Sequence, residues 1–225
     1  MPAKTTRWKS SAFGLVVACI WPSWTLAQNF EIITPTETSF EVSEAEIRVG
    51  LSQDGCAVGH EAACDLLYQR SEYVSTQSHK HGDRVTYSWE MMVPSDFKYN
   101  TSGGYLRTAR LVYGSGKSLL SFNLDMETGY SLNTKTCFGP EGFGEWHAIE
   151  VRVAWDSTKK KTLKDKTPGD LVVLCDGVEL HSQSGRPNIS ADEEVWFALG
   201  LHGALNLADG DKAEVHFRNI SIEKQ

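Results

Sequence analysis

The sequence predicts an all-β protein built as a two-sheet antiparallel sandwich. Short segments in which apolar and polar residues alternate recur along the chain, as expected for strands that bury one face. Glycine and asparagine clusters separate most of these segments, and helical periodicity is weak throughout. Because no internal repeat or low-complexity linker is visible, residues 28–225 are predicted to form a single domain.

The strand signals can be followed along the chain. Four segments alternate apolar with polar side chains and are predicted strands: residues 85–91, 147–155, 196–202 and 214–222. Residues 171–175 form a continuous apolar run, and Asp176 and Gly177 follow it directly before residues 178–180. An Asp-Gly pair between two apolar runs is a strong signal for a two-residue hairpin.

Residues 1–27 have the composition of a cleavable export signal peptide. Three basic residues precede an apolar run over residues 13–21, and Ala27 supplies a small residue at a cleavage site. About 20 apolar residues are needed to span a bilayer, so an uncleaved membrane anchor is the weaker alternative. We therefore expect a secreted protein, extracellular or periplasmic, with no membrane attachment after cleavage.

The charge of the mature part restricts its partners. The chain has a formal net charge of −7, which becomes −10 once a leader with three basic residues and no acid is removed. Nucleic acid is then an unexpected partner, because a polyanion is attracted to basic patches. We expect a monomer.

Four cysteines remain in residues 28–225: Cys56, Cys64, Cys137 and Cys175. An even number of cysteines in an exported chain predicts disulfides. Cys56 and Cys64 lie close enough to close a small loop, and Cys137 would then pair with Cys175, although four cysteines allow three pairings. Zinc binding is the weaker alternative, because no Cys-x2-Cys spacing is present.

Several stretches carry a resemblance to known sandwiches. Residues 144–147 (Gly-Glu-Trp-His) with the later residues 176–177 resemble a hairpin of concanavalin-like and laminin-G-like proteins. Residues 70–73 (Arg-Ser-Glu-Tyr) resemble the Arg-Ser/Thr-Glu-Leu strand of alginate-lyase-type polysaccharide lyases. Residues 93–97 resemble a turn of glucuronan and heparin lyase-like sandwiches, and residues 196–202 resemble the Tyr-Phe-Lys-Ala-Gly-Val-Tyr strand of this group. The resemblance implies a concanavalin-like jelly roll and cleavage of a uronic-acid-containing polysaccharide by β-elimination.

The chain departs from the family pattern where the chemistry is expected. Ala198 stands in place of the family's lysine, and His202 in place of its catalytic tyrosine. Residues 106–111 contain neither the glutamine nor the histidine of its Gln-Ile-His strand. A carbohydrate-binding, lectin-like relative that has lost catalysis is therefore the alternative to a lyase. A sandwich glycoside hydrolase ranks last, because the Glu-x-Asp-x-x-Glu strand that carries its carboxylates is absent.

The candidate site lies on the polar face of the strand at residues 196–202. Alternate side chains of a strand point to opposite faces, so Trp196, Ala198, Gly200 and His202 share one face. The resemblance implies that this face lines a groove, in which Trp196 would stack on a sugar ring. The same alternation places three residues of an earlier strand on one face: Tyr68, Arg70 and Glu72.

We assign roles to these residues on the chemistry of β-elimination. Arg70 and one of Arg107 or Arg110 would bind the substrate carboxylate, because hydrogen bonds to it strengthen as charge builds up. Arg107 and Arg110 point to opposite faces of a regular strand, so only one of them is expected in the groove. Glu72 would orient an arginine, and a structural ion pair between Arg70 and Glu72 is the alternative. His202 would act as base or acid near neutral pH.

A metal site is the last candidate that the sequence offers. His79, His81 and Asp83 alternate, so an extended chain would place three ligand-type side chains on one face. A polar loop is favoured, because no fourth ligand is evident and short His-x-His matches are common. We predict no catalytic metal and no cofactor; the resemblance leaves a structural calcium open.

Overall fold

The computed structural model describes residues 30–64, 68–99, 106–157, 169–189, 193–204 and 207–225, so the predicted signal peptide lies outside the described residues. Their strands form two antiparallel seven-stranded sheets. In spatial order the front sheet contains β1 (Phe30–Ile33), β4 (Tyr68–Ser75), β13 (Val195–Ala204), β6 (Leu106–Tyr113), β7 (Ser118–Asp125), β8 (Gly129–Leu132) and β9 (Lys135–Phe138). The back sheet contains β12 (Val178–Gln183), β11 (Asp170–Cys175), β10 (Trp146–Ala154), β5 (Arg84–Met92), β14 (Glu214–Lys224), β3 (Ile47–Gly50) and β2 (Phe40–Val42). The predicted two-sheet antiparallel sandwich is confirmed.

Helical structure within the described residues is limited to three single-turn 3₁₀ helices, Glu37–Ser39, Glu61–Ala63 and Pro140–Gly142. None of these is long or apolar enough to cross a bilayer. The strands instead follow the predicted alternation. On β5, for example, every second residue from Val85 to Met91 is buried, and the residues between are more accessible.

The core is formed where the inner faces of the two sheets meet. Trp89 of the back sheet contacts two rings of the front sheet, Phe122 at 5.6 Å and Phe197 at 5.4 Å between ring centroids. All three side chains are at most 2% exposed. Burying one large apolar side chain stabilises a fold by about 1.5–3 kcal/mol, so these contacts fix the position of β13 in the front sheet.

The hairpin and both disulfides occur as predicted. Asp176 and Gly177 have φ angles of 48° and 78°, the left-handed pair that a type I′ turn between β11 and β12 requires. The Cys137–Cys175 disulfide joins β9 of the front sheet to β11 of the back sheet, with Cα atoms 5.6 Å apart. The Cys56–Cys64 disulfide closes a loop that lies next to the start of β4.

Candidate functional site

The outer face of β13 is the centre of the candidate site. Phe197, Leu199 and Leu201 point into the core and are at most 1% exposed. Because strand side chains alternate, Trp196, Ala198, Gly200 and His202 point to the outer face. β13 is hydrogen-bonded to β4 on one side and to β6 on the other, so side chains from three strands meet on this face.

An arginine flanks His202 on each neighbouring strand. His202 lies directly opposite Arg70 of β4 and directly opposite Arg107 of β6. Side chains of directly opposite residues share a face, with Cβ atoms about 4.5–5.5 Å apart. These three residues form a row across the front sheet, and the row continues through Asn123 of β7 to Ser131 of β8. The front sheet therefore carries a line of polar and cationic side chains that runs across its strands.

The expectation that Arg107 and Arg110 point to opposite faces is wrong. Arg110 pairs with Ala198 and Arg107 pairs with His202, so three steps along β6 match four steps along β13. The pairing with β7 shows the same irregularity, since the same three steps match the two from Ser121 to Asn123. A β-bulge adds a residue to one strand and so changes which face the following side chains occupy. Both arginines therefore lie on the outer face.

Arg110 forms a buried ion pair with Glu72. The Nε of Arg110 donates a hydrogen bond of 2.8 Å to Oε1 of Glu72, and its Nη2 donates to the same oxygen. Arg110 is 6% exposed and Glu72 is 1% exposed. The pair neutralises two charges inside the protein, and it leaves Oε2 of Glu72 without a hydrogen-bond partner among the described residues.

The ion pair depends on the small residues of β13, because β4 and β6 are not neighbours and the pair must cross the strand between them. Gly200 lies opposite Glu72, and Ala198 lies opposite Arg110. Gly200 has a φ of +149°, and a Cβ there would collide with the carbonyl oxygen of Ser71. Position 198, where the lyases that the sequence resembles carry a lysine, thus holds a small residue over which Arg110 reaches Glu72.

Arg70 does not pair with Glu72, so the alternative of a structural ion pair between them is wrong. Its Nε and Nη2 both donate to the carbonyl oxygen of Ala62, at 3.3 and 2.9 Å. Ala62 belongs to the 3₁₀ turn inside the loop that the Cys56–Cys64 disulfide closes. Arg70 is therefore fixed by a backbone carbonyl, and its guanidinium keeps further N–H groups that this carbonyl does not use.

Arg107 differs from both other arginines of the face. It is half-buried beside His202, and no hydrogen bond or ion pair within the described part of the chain engages its guanidinium. An arginine fork matches a carboxylate in a bidentate arrangement. Arg107 is therefore the arginine of this face whose guanidinium is left to solvent or to a ligand.

Tyr68 adds an aromatic side chain to the row. Its ring meets the His202 imidazole edge-on, with centroids 5.3 Å apart and planes at 88°. The residue was placed on this face by strand alternation, but nothing in the sequence indicated contact with His202. The register of β4 against β13 creates that contact between two residues that are far apart in the sequence.

Trp196 shares the outer face but lies apart from His202. The two residues are six positions apart on one strand, which corresponds to about 20 Å. The Trp196 ring packs over Gly114, where a Cβ would come within 3.2 Å of it. Trp196 is thus adjacent to a turn at the far end of β13, and it does not join the cluster around His202.

The fold keeps two residues of the candidate metal motif close, with His79 Nδ1 3.8 Å from Asp83 Oδ2, but it directs His81 to another partner. His79 is completely buried and packs edge-on against Tyr87. His81 accepts a hydrogen bond from the backbone N–H of Ser157 through Nδ1, at 3.0 Å, while Asp83 pairs with Lys224 at 2.9 Å. Within the described residues no three His, Cys, Asp or Glu side chains meet in a metal-binding group.

The fold can be compared with proteins of known structure. No protein-family model matches the chain, and no curated protein matches it significantly. An endo-β-1,4-glucuronan lyase from the fungus Trichoderma reesei aligns with a TM-score of 0.62 at 12% identity, over 88% of this chain and 91% of that one. An alginate lyase of polysaccharide lyase family 7, AlgAT5, aligns with a TM-score of 0.60 at 9% identity, over 88% and 94%. A family 7 alginate lyase from the marine Zobellia galactanivorans aligns with a TM-score of 0.52 at 11% identity, over 84% and 82%.

These alignments span most of both chains, at identities at which only the fold is conserved. The predicted resemblance is therefore confirmed for the architecture, while the chemistry must be argued from the residues of this chain. Two seven-stranded antiparallel sheets, in the order described above, give this protein the jelly-roll fold of the solved alginate and glucuronan lyases.

Proposed function

We propose that the chain is a secreted polysaccharide lyase that cleaves a uronic-acid-containing polysaccharide by β-elimination. The observation that carries this proposal is the row in which His202 has an arginine on each side, Arg70 and Arg107. Such a row combines a titratable base with two groups that bind carboxylates. It lies on the central strands of a sheet whose fold occurs in lyases that act on alginate and glucuronan.

The chemistry requires both kinds of group. The proton on the carbon that bears the sugar carboxylate becomes acidic only when the carboxylate charge is offset. Arg107, with support from Arg70, would hold that carboxylate and gain strength as charge develops in the transition state. His202 would then remove the proton, since imidazole has an unperturbed pKa of about 6.5 and works as a base near neutrality.

Glu72 and Arg110 have an indirect role in this proposal. Their buried pair lies beside His202 along β13 and fills the space above Ala198 and Gly200. An arginine whose charge is already balanced by Glu72 is a weaker ligand for a substrate carboxylate than Arg107. We therefore assign Arg110 and Glu72 to positioning, and Arg107 to substrate binding.

The net charge of the chain opposes the proposed substrate at long range. A uronate polymer is a polyanion, and the net charge of the chain is −7. Long-range repulsion must be overcome by the local arginines, so affinity is expected to fall as ionic strength rises. We propose an acidic polysaccharide as the partner of a monomer, with export supported by the two disulfides, which persist in oxidising compartments.

The test is a direct search for the unsaturated product. The purified chain is incubated with glucuronan, alginate, heparin-type chains and pectate, and the absorbance of the unsaturated uronate is followed. We expect a rise with at least one polymer, and loss of that rise in His202→Ala. Arg152→Ala, which removes an exposed arginine from β10 on the back sheet, is the matched control and should retain activity.

A carbohydrate-binding relative without catalysis is the second candidate. It is favoured by Ala198 in place of the family's lysine and by the neutralised Arg110, which together reduce the number of groups available for chemistry. This candidate predicts that a polyuronate binds, that Arg107→Ala weakens binding, and that no unsaturated product forms. Product formation that depends on His202 would reject it.

A further inference from the structure

Tyr68 differs from the other tyrosines in its accessibility. Tyr68 is the first residue of β4 and is 42% exposed. The other described tyrosines are all buried: Tyr73, Tyr87, Tyr99, Tyr113 and Tyr130. Burial raises the pKa of the Tyr73 and Tyr87 phenols and holds both groups in the core. Within the described residues, Tyr68 is therefore the tyrosine that can meet a bound polysaccharide.

The position of Tyr68 relative to His202 is set by the register. Tyr68 lies opposite Ala204 and Arg70 lies opposite His202, so Tyr68 is the diagonal neighbour of the imidazole on the outer face. Diagonal neighbours in a sheet are within reach when one of them is aromatic. The ring contact of 5.3 Å between centroids shows that this reach is used.

We infer that Tyr68 is the proton donor to the leaving glycosidic oxygen, with His202 as the base; this inference rests on the proposed lyase function. A β-elimination needs a base that removes the proton from the carbon beside the carboxylate and an acid that protonates the leaving glycosidic oxygen. The row supplies His202, and Tyr68 supplies a phenol hydroxyl from the adjacent strand. The phenol that is missing from position 202 is thus present on a different strand, at the diagonal position.

The proposed step balances without a further reactant. His202 takes the proton from the carbon beside the carboxylate, and the electrons of that C–H bond form a carbon–carbon double bond. The adjacent bond to the glycosidic oxygen breaks, and the oxygen keeps its electron pair and takes the proton of the Tyr68 hydroxyl. The phenolate then recovers a proton from the His202 imidazolium, directly or through solvent, which restores both groups.

Two variants separate proton donation from packing. Tyr68→Phe keeps the aromatic ring against His202 and removes only the hydroxyl, whereas Tyr68→Leu removes both. Each is assayed on the polymer that the wild-type chain cleaves. Each is also assayed on a uronate monosaccharide in which a 4-nitrophenoxy group replaces the next sugar, because nitrophenolate leaves without protonation. Thermal unfolding of each variant checks that the fold is retained.

We expect Tyr68→Phe to lose about 10²–10⁴-fold in kcat on the polymer, the usual contribution of a general acid, and to stay within a few fold of wild type on the nitrophenoxy substrate. His202→Ala should lose activity on both substrates, because an activated leaving group does not replace the base. Polymer activity of Tyr68→Phe within threefold of wild type, with Tyr68→Leu impaired, would make Tyr68 a packing residue and overturn the inference alone. A wild-type chain that releases no product from either substrate would overturn the lyase proposal with it.

Discussion

The outer face of β13 presents two arginine environments that differ in burial and in charge balance. Beside Ala198, Arg110 is 6% exposed and its charge is balanced by Glu72 inside the protein. Beside His202, Arg107 is half-buried, and no described residue balances its charge. Two arginines three residues apart on β6 thus have different tasks. The neutralised one is packed inside the sheet with its counter-charge, and the other is available to an anionic ligand.

The largest expected effect comes from breaking the neutralised pair. Glu72→Leu leaves the Arg110 guanidinium buried without a counter-charge, which costs about 3–5 kcal/mol in the free energy of unfolding. Removing both charges in Glu72→Leu/Arg110→Met should recover most of this loss, because the uncompensated charge is gone. Urea unfolding of Glu72→Leu, Arg110→Met and the double variant measures the interaction free energy between Glu72 and Arg110.

Arg107→Met is the comparison variant for stability. Because its charge is balanced by no described residue, we expect a change within about 0.5 kcal/mol of wild type. Equal destabilisation by Arg107→Met and Arg110→Met would show that the two environments are not distinct. The assignment of separate roles would then have to be abandoned.

Polyuronate affinity should show the opposite ranking of the two arginines. Arg107→Ala is expected to weaken binding about 10–100-fold, since hydrogen bonds to a charged group contribute about 1.5–3 kcal/mol. Arg107→Lys keeps the charge but not the planar fork, so its affinity should lie between those of wild type and Arg107→Ala. Isothermal titration at two salt concentrations tests this, with Arg152→Ala on the back sheet as the control. A loss in Arg152→Ala as large as in Arg107→Ala would mean that net charge alone determines binding.

The disulfides extend the comparison, because only one of them supports the row. Ala62, whose carbonyl oxygen holds Arg70, lies within the loop closed by Cys56–Cys64. Removing that disulfide in Cys56→Ser/Cys64→Ser should release Arg70 and raise KM for the polymer several-fold. Removing Cys137–Cys175, which joins the edge strand β9 of the front sheet to β11 of the back sheet, should lower the free energy of unfolding by about 2–5 kcal/mol and leave KM nearly unchanged. Equal KM values in both double variants would show that the Cys56–Cys64 loop does not position Arg70 for the substrate.

The sequence predicted the back sheet better than the front sheet, for a physical reason. β5, β10 and the β11–β12 hairpin have strict alternation or a strong Asp-Gly turn, and both signals are local. The short strands β8 and β9 have only four residues each, too few for a period of two to be recognised. Their position depends on pairing with β7, which no local pattern encodes.

Sequence alternation predicted which side chains of β4 and β13 face outward, but it did not predict their partners. Alternation placed Arg70, Glu72 and His202 on outward faces, as the structure has them. The bulge in the β6–β13 pairing, which brings Arg110 to the same face as Arg107, has no sequence signature. The ion pair of Glu72 with Arg110 follows from that bulge and from the glycine at position 200. The partners of these side chains are therefore set by strand register, a long-range property that composition does not encode.

A further contrast concerns the two histidines that lie at opposite ends of β13. His202 is half-buried in the row, whereas His79 is completely buried and holds the start of β13 through two backbone hydrogen bonds with Val195, of 2.9 and 2.8 Å. Burial lowers the pKa of His79 below its ordinary value of 6.5, because the charged imidazolium is desolvated; Asp83 opposes this shift and Lys224 adds to it. His79 is thus neutral in the folded chain over a pH range in which the unfolded chain binds a proton.

The sign of the resulting pH dependence follows from this difference. The stability that neutral His79 contributes is complete above pH 6.5 and is lost as the pH falls through the lower folded-state pKa. Urea unfolding between pH 7.5 and 5 should therefore show a decline that is shallower in His79→Gln, while His181→Gln, a half-buried histidine of β12, should keep the wild-type slope. An unchanged slope in His79→Gln would assign the decline to other groups. The loss of stability in acid would then come from the carboxylates that pair with arginine and lysine, and not from the buried end of β13.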